Sequence, residues 1–224
     1  MNDENRGSII LLSGGLDSAV GLGAAVRNGQ VLLALSFDYG QRAAAREIEA
    51  AARLAEYYAV PHRVIKLPFL GEITTGSLVN RAEPLPKVGA SGLDDLDVTS
   101  KSAASVWVPN RNGLFINIAA AFAESLGAGW IVAGFNAEEA ATFPDNSRTF
   151  VEAVNRCLDF STLTGVKLTS LTMEMDKVEI VRYGRLLGVP LDYVWSCYEG
   201  GEKPCGECES CLRLARALKE AGKG

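Results

Sequence analysis

Two groups of residues in this chain have types and spacing suited to chemistry. The first is Ser13-Gly14-Gly15-Leu16-Asp17-Ser18, which follows the apolar run "IILL" and opens a helix-like stretch. Two adjacent glycines let the backbone approach a ligand closely, and the N–H groups of the next helix face an anion. Ser13 and Ser18 can add hydroxyl donors. A Walker loop ends G-x-x-x-x-G in lysine and a Ser or Thr; this turn has neither the spacing nor the lysine. A cradle of N–H groups and hydroxyls suits a pyrophosphate that departs, leaving an α-phosphate open to an acid. Asp17 is odd beside an anion, so it is expected to cap the helix or to meet phosphate through Mg²⁺. The plainer reading is a strand-to-helix turn with Asp17 or Ser13 as its N-cap.

The second group is "SCYEGGEKPCGECESC", in which Cys197, Cys205, Cys208 and Cys211 are spaced C-x7-C-x2-C-x2-C. Two short spacings let three thiolates converge from one turn, and the glycine-rich excursion brings in Cys197. Four cysteines with no histidine nearby suit a closed tetrahedral structural Zn²⁺ site, one ion per chain. An iron–sulfur cluster is the rival, because C-x2-C-x2-C also occurs in ferredoxins. Cys157 lies among apolar residues in mid-helix and reads as packing. His62, the only histidine, reads as a surface or packing residue rather than a base.

The elements that must position these residues follow from the apolar pattern. The 224 residues are 48% hydrophobic, enough for one sizeable core. Strands are expected at 8–12, 31–37, 62–67, 130–134 and 166–171, and helices at 17–28, 43–59, 112–126, 148–160 and 177–187. This alternation implies βαβ units and a parallel sheet covered on both faces. Ligands of such sheets bind beyond the carboxyl ends of the strands, which points to 13–18, 38–42, 108–112 and 135–146. Residues 68–106 read as a long irregular excursion over the surface, with a substrate lid as the sharper alternative. The net charge of −5 and the pI of about 5.1 argue against nucleic acid as a partner. No apolar run approaches the ~18 residues of a membrane span, and the polar N-terminus carries no secretory signal. A soluble cytoplasmic protein is expected, in which cysteines bind metal or react rather than cross-link.

"SGGLDS" resembles the signature of the PP-loop ATP pyrophosphatases, which cleave ATP between its α- and β-phosphates and activate an acid as an adenylate. Together with "SFDYGQR", "VPNRN", "FPDN" and the cysteine-rich ending, in this order, it makes the chain similar to the 7-cyano-7-deazaguanine synthase family from Ile9 to Cys211. The resemblance implies a Rossmann-like, adenine nucleotide alpha hydrolase-like α/β domain at 1–190, with a small zinc-binding lobe and helix at 191–224. It implies an ATP-dependent ligase of queuosine precursor synthesis, joining 7-carboxy-7-deazaguanine and ammonia into a nitrile through an adenylate and an amide. ATP with Mg²⁺ is then a substrate, free ammonia the nitrogen source, and a homodimer the expected assembly.

Residue by residue, the resemblance assigns catalysis to Ser13, Asp17, Ser18, Arg111 and Lys177, the last supplying the charge that the loop lacks. Leu12, Ser13, Gly14, Gly15, Leu16, Asp17, Ser18 and Arg42 would bind nucleotide. Gln41, Arg111, Asn112 and Asp145 would bind the acid, with Asp145 reading a purine-like edge. The chain departs from the family where many members have "SGYPDCR" against "ATFPDNS" here, and "TYVP" against "VWVP". These departures keep open a paralogue that activates a related acid. A tRNA-thiolating PP-loop enzyme would need a basic RNA-binding surface. A module that senses ATP without turnover belongs to another class and would show no acid-dependent pyrophosphate exchange.

Overall fold

The computed structural model describes residues 6–223; the N-terminal residues 1–5, on which the absence of a leader was read, lie outside them. Five strands, β1 (Ser8–Leu11), β2 (Val31–Asp38), β3 (His62–Lys66), β4 (Trp130–Ala133) and β5 (Lys167–Ser170), form one sheet. The order is β3-β2-β1-β4-β5 and every pairing is parallel. Strand β2, VLLALSFD, is the near-continuous apolar run of a strand covered on both faces.

The covering helices are α1 (Leu16–Asn28), α2 (Ala44–Tyr57), α3 (Pro68–Ile73), α4 (Leu96–Ser105), α5 (Arg111–Leu126), α6 (Ala137–Ala140), α7 (Arg148–Ser161), α8 (Lys177–Leu186) and α9 (Glu209–Ala221). Neighbouring strand residues feed opposite cores, as the period of two requires. Ile9, Leu35 and Ile131 pack with Ile116 of α5 and Leu158 of α7. Ile10, Ala34 and Val132 pack with Leu22 of α1, Leu54 of α2 and Ile180 of α8. Helix α2 shows why the faces separate: Ala50, Ala51, Leu54 and Ala55 form one buried stripe, and its Arg and Glu residues mostly face outward.

Two expectations need correction. Residues 68–106 are not an irregular surface excursion: they contain α3, a 3₁₀ turn at Ala90–Gly92 and α4, and Leu70, Leu78, Leu85 and Val106 are buried in the first core. Their apolar residues are too sparse to show a period; those four reach the core, while Phe69, Ile73, Leu96 and Val98 stay exposed. Cys157 is exposed on α7 rather than packed, because only Leu158 of that helix is fully turned to the sheet. Helix α9 lies against α8, and its Ala217 and Ala221 belong to the same core as α1. Among the described residues no helix is long and apolar enough to cross a membrane.

Candidate active site

The strand order reverses at β1, whose neighbours β2 and β4 continue in opposite directions along the sheet, and a crevice opens beyond their carboxyl ends. A cavity of about 260 Å³ occupies it. Ser13–Ser18 forms the turn from β1 into α1. Gly14 takes φ +81°, and a Cβ there would lie 2.4 Å from the Glu47 carbonyl oxygen of α2. Across the turn, a Cβ on Gly134 would lie 2.8 Å from the Ser18 nitrogen. Both positions admit only glycine, so the loop is pressed between α2 and the end of β4.

The N-cap of α1 is Gly15, with no side-chain cap. Asp17 and Ser13 therefore do not cap the helix, which corrects the plainer reading of the hexapeptide. Ser13 Oγ instead accepts from the Gly15 N–H at 3.3 Å and lies 3.0 Å from Ser18 Oγ, which donates to the Gly15 carbonyl at 3.0 Å. Leu12, Ser13, Gly15, Leu16, Asp17 and Ser18 all line the cavity, whereas Gly14 faces α2.

Lys177 reaches this loop from the far end of the chain. An Asp176–Glu179 capping box starts α8 at Lys177, whose backbone N–H donates to Glu138 Oε1 at 2.9 Å. Its ammonium is buried and donates to Asp17 Oδ2 and Glu139 Oε1, each at 2.6 Å. Burial by itself lowers the Lys177 pKa, but the two carboxylates hold it above the ordinary lysine value. Asp17 is pushed up to about 6 by burial, against the pull of Lys177. Its Oδ1 is sealed and has no partner. Burial pushes Glu139 up, but Lys177, with Asn136 and Arg111, holds it below its usual range.

The residues expected to meet an acid substrate share the same cavity. Asn110 adopts φ +52°, a left-handed conformation that Asn tolerates, and turns the chain into α5 so that Arg111 and Asn112 enter the cavity wall. Arg111 Nη1 donates to the Tyr39 hydroxyl at 3.2 Å. Asn112 Nδ2 donates to the Asp145 carbonyl at 3.4 Å, and Asn146 Nδ2 to the Asp145 carboxylate at 3.2 Å. Burial pushes the Asp145 carboxyl up, with Arg111 opposing. Trp107 and Phe143 stand in the two stretches named above, "VWVP" and "ATFPDNS", and line the same space, their rings nearly parallel with centroids 6.4 Å apart.

Two expected ligands behave differently. Gln41 lines the cavity, but its amide is fully engaged: Oε1 accepts from the Tyr39 N–H at 3.0 Å, and Nε2 donates to the Phe37 carbonyl at 3.0 Å and to Glu47 Oε2 at 2.9 Å. Arg42 does not line the cavity at all. Its guanidinium holds the 77–83 segment, donating to the carbonyls of Ser77, Asn80 and Glu83, and also pairs with Glu199. An arginine at a helix start beyond a strand's carboxyl end looks like a ligand in sequence, and only the fold shows it bracing a loop.

The four cysteine sulfurs lie within 4.8 Å of one another and can hold a metal ion. A tetrahedron with Zn–S of ~2.3 Å has sulfurs ~3.8 Å apart, close to the 4.0 Å between Cys205 and Cys211 Sγ. Backbone N–H groups already point at the sulfurs: Cys205 N–H to Cys197 Sγ at 3.3 Å, and the N–H groups of Glu207 and Cys208 to Cys205 Sγ at 3.5 and 3.4 Å. Burial by itself would raise the Cys205 thiol, but these donors and the neighbouring thiols bring it down to about 7. Gly206, at φ +73°, supplies the left-handed residue that the turn needs.

Several cavity residues carried no signal in the sequence: Glu47, Glu138, Glu139, Glu209 and Arg213. Arg213 Nη1 donates to Glu138 Oε2 at 2.7 Å and its Nε to Glu209 Oε1 at 2.9 Å, so the helix that follows the cysteines also forms cavity wall. Charged helix residues usually mark a solvated face, and nothing local distinguishes these. His62 meets Ser36 Oγ through Nε2 at 2.7 Å, and burial lowers its pKa.

Residues 7–222 match the family model described as queuosine biosynthesis protein QueC. A protein of Pelotomaculum thermopropionicum, named 7-cyano-7-deazaguanine synthase, is 57% identical over 96% of this chain and 97% of its own. A protein of Carboxydothermus hydrogenoformans with the same name is 56% identical over 94% of this chain and 97% of its own. The structure of NMN synthetase from Francisella tularensis shares the fold, with a TM-score of 0.50 at 15% identity over 97% of this chain and 85% of that one.

Proposed function

We propose, given that this chain belongs to the QueC family of queuosine biosynthesis proteins, that it is an ATP-dependent carbon–nitrogen ligase. It converts 7-carboxy-7-deazaguanine and ammonia to 7-cyano-7-deazaguanine through an adenylate and then an amide. The observation that carries this reading is a single cavity shared by the Ser13–Ser18 loop, Lys177, Arg111, Asn112 and Asp145. The names of relatives similar over nearly their whole length support it.

In this reading the loop N–H groups and the Ser13 and Ser18 hydroxyls take the β- and γ-phosphates, as an anion site at a helix N-terminus should. Lys177, held charged by Asp17 and Glu139, offsets the negative charge that grows as the acid attacks the α-phosphorus. Arg111 orients the attacking carboxylate, and Asn112 and Asp145 hold the base, Asp145 accepting from its N–H donors. Asp17 Oδ1, buried without a partner, is the acceptor that would hold a Mg²⁺ arriving with ATP, whose chemistry would be to offset phosphate charge. Cys197, Cys205, Cys208 and Cys211 hold one structural Zn²⁺. The enzyme works in the cytoplasm as a homodimer on free ammonia.

The test is incubation with ATP, Mg²⁺, ammonium and 7-carboxy-7-deazaguanine, followed by mass analysis of the base. Loss of one carboxyl and gain of a nitrile is the expected outcome. Recovery of unchanged acid, with no AMP formed, would overturn the reading.

A further inference from the structure

Six carboxylates line the cavity, and four have direct cationic partners. Asp17 and Glu139 share the Lys177 ammonium, and Glu138 and Glu209 share the Arg213 guanidinium. Asp145 stands with Asn112 and Asn146 where the base is read. Glu47 is the sixth, and among the described residues it has no ion pair. Its Oε2 accepts from Gln41 Nε2 at 2.9 Å, while its Oε1 has no hydrogen-bond partner and, unlike Asp17 Oδ1, is not sealed away.

We propose that Glu47 is the catalytic base that captures ammonium in this cavity and takes its proton, releasing ammonia onto the activated acid; the assignment rests on the ligase reading above. At neutral pH the nitrogen source is almost all ammonium, which has no lone pair and cannot attack. A half-buried carboxylate that forms no ion pair, and feels Arg111 only at longer range, is complementary to a small cation. Tyr39 and Trp195 line the same space, each with an arginine of the chain already over its ring, Arg111 at 6.0 Å and Arg46 at 5.7 Å, so the attraction for ammonium rests on the Glu47 carboxylate itself. Burial raises Glu47 above the usual carboxylate range, with Gln41 and Arg111 opposing, so it is a better base than an exposed glutamate. Gln41, fully hydrogen-bonded, is a positioning residue that fixes the carboxylate.

The step balances as follows. One ammonium proton moves to Glu47, and the freed nitrogen lone pair forms the C–N bond at the acyl carbon of the adenylate. The bond from that carbon to the phosphate oxygen breaks, and AMP leaves with the electron pair. A second nitrogen-bound proton passes to the departing phosphate. Glu47 then returns its proton to solvent.

The test separates this base from adenylation. Acid-dependent ATP–pyrophosphate exchange, run without any nitrogen source, should be within about twofold of wild type in Glu47→Gln. Product formation from ammonium should fall by roughly 10²–10⁴-fold, the usual share of a positioned base. Hydroxylamine is neutral at pH 7 and needs no base to free its lone pair, so hydroxamate should form at close to the wild-type rate. Glu47→Asp keeps a carboxylate and should recover part of the ammonium reaction; it is read in place of Glu47→Gln if that variant does not fold. Equal losses with ammonium and hydroxylamine, or a raised Michaelis constant for the acid or ATP, would overturn the assignment. A wild-type chain without acid-dependent exchange overturns the ligase reading itself, a result the variants cannot mimic.

Discussion

At the residue scale, two carboxylates that line one cavity, Asp17 and Asp145, sit in different surroundings. Asp17 is forced into contact with Lys177 in a sealed corner and is pushed up to about 6. A raised carboxyl contributes stability that is complete below its unfolded value of 3.8 and is lost as pH climbs through about 6. Cation binding has the opposite requirement, because only the ionised form serves it. The kcat/KM for ATP should therefore fall below pH 6, and Asp17→Asn should flatten that acid limb along with most of the activity; an unchanged profile would remove Asp17 from ATP binding. Asp145 sits with amide donors on its own carboxylate and backbone. Asp145→Asn keeps the shape but turns one acceptor into a donor, and a buried mismatched pair costs about 1–3 kcal/mol. The Michaelis constant for the acid should rise well beyond tenfold while that for ATP barely moves. Unchanged constants for both substrates would place Asp145 outside the site.

At the scale of elements, the start of α8 has an influence out of proportion to its length. The Asp176–Glu179 capping box places Lys177 in the first turn, and Glu138 of α6 takes the Lys177 backbone N–H. Asp176→Ala should lower stability by about 1 kcal/mol, the usual loss for a cap. Adenylation should suffer more than that figure suggests, since a frayed first turn lets the ammonium drift from the loop. Pyrophosphate exchange measured well below the unfolding transition tests this, and full exchange would show that Asp17 and Glu139 hold Lys177 without the cap. Helix α9 links the cysteine centre to the cavity in a similar way, because its Glu209 and Arg213 stand in the cavity wall directly after Cys208.

At the scale of the whole molecule, that connection ties the four-cysteine cluster to the cavity wall. Elemental analysis should find about one zinc per chain in a colourless protein; iron with labile sulfide would instead favour a cluster. Cys208→Ser should lose the ion, lower the unfolding midpoint and reduce pyrophosphate exchange together, since ligation and local folding are coupled. Cys157→Ser, altering an exposed thiol on α7, should leave all three unchanged. A Cys208→Ser protein that keeps full exchange would show that α9 holds Arg213 in place without the metal.

What the sequence determined by itself was whatever is written locally. The apolar runs of β1 and β2 and the stripe of α2 have short periods, and the strand-to-helix turn at Ser13–Ser18 and the C-x2-C-x2-C spacing are complete within a few residues. The four thiols were legible as one centre because three of them share a turn. The tertiary structure decided everything that depends on distant charges meeting. Lys177 and Asp17 are 160 residues apart in the chain yet 2.6 Å apart in space. Glu47, Glu138, Glu139 and Arg213 looked like ordinary helix charges until the crevice at β1 and β4 enclosed them. Arg42 was the reverse case, a residue with a ligand's local setting whose guanidinium the fold assigns to the carbonyls of Ser77, Asn80 and Glu83. Periodicity and turn chemistry act over one or two turns of chain, whereas burial and the pairing of charges are properties of the enclosed space, which exists only once the sheet and its two helical layers have closed around it.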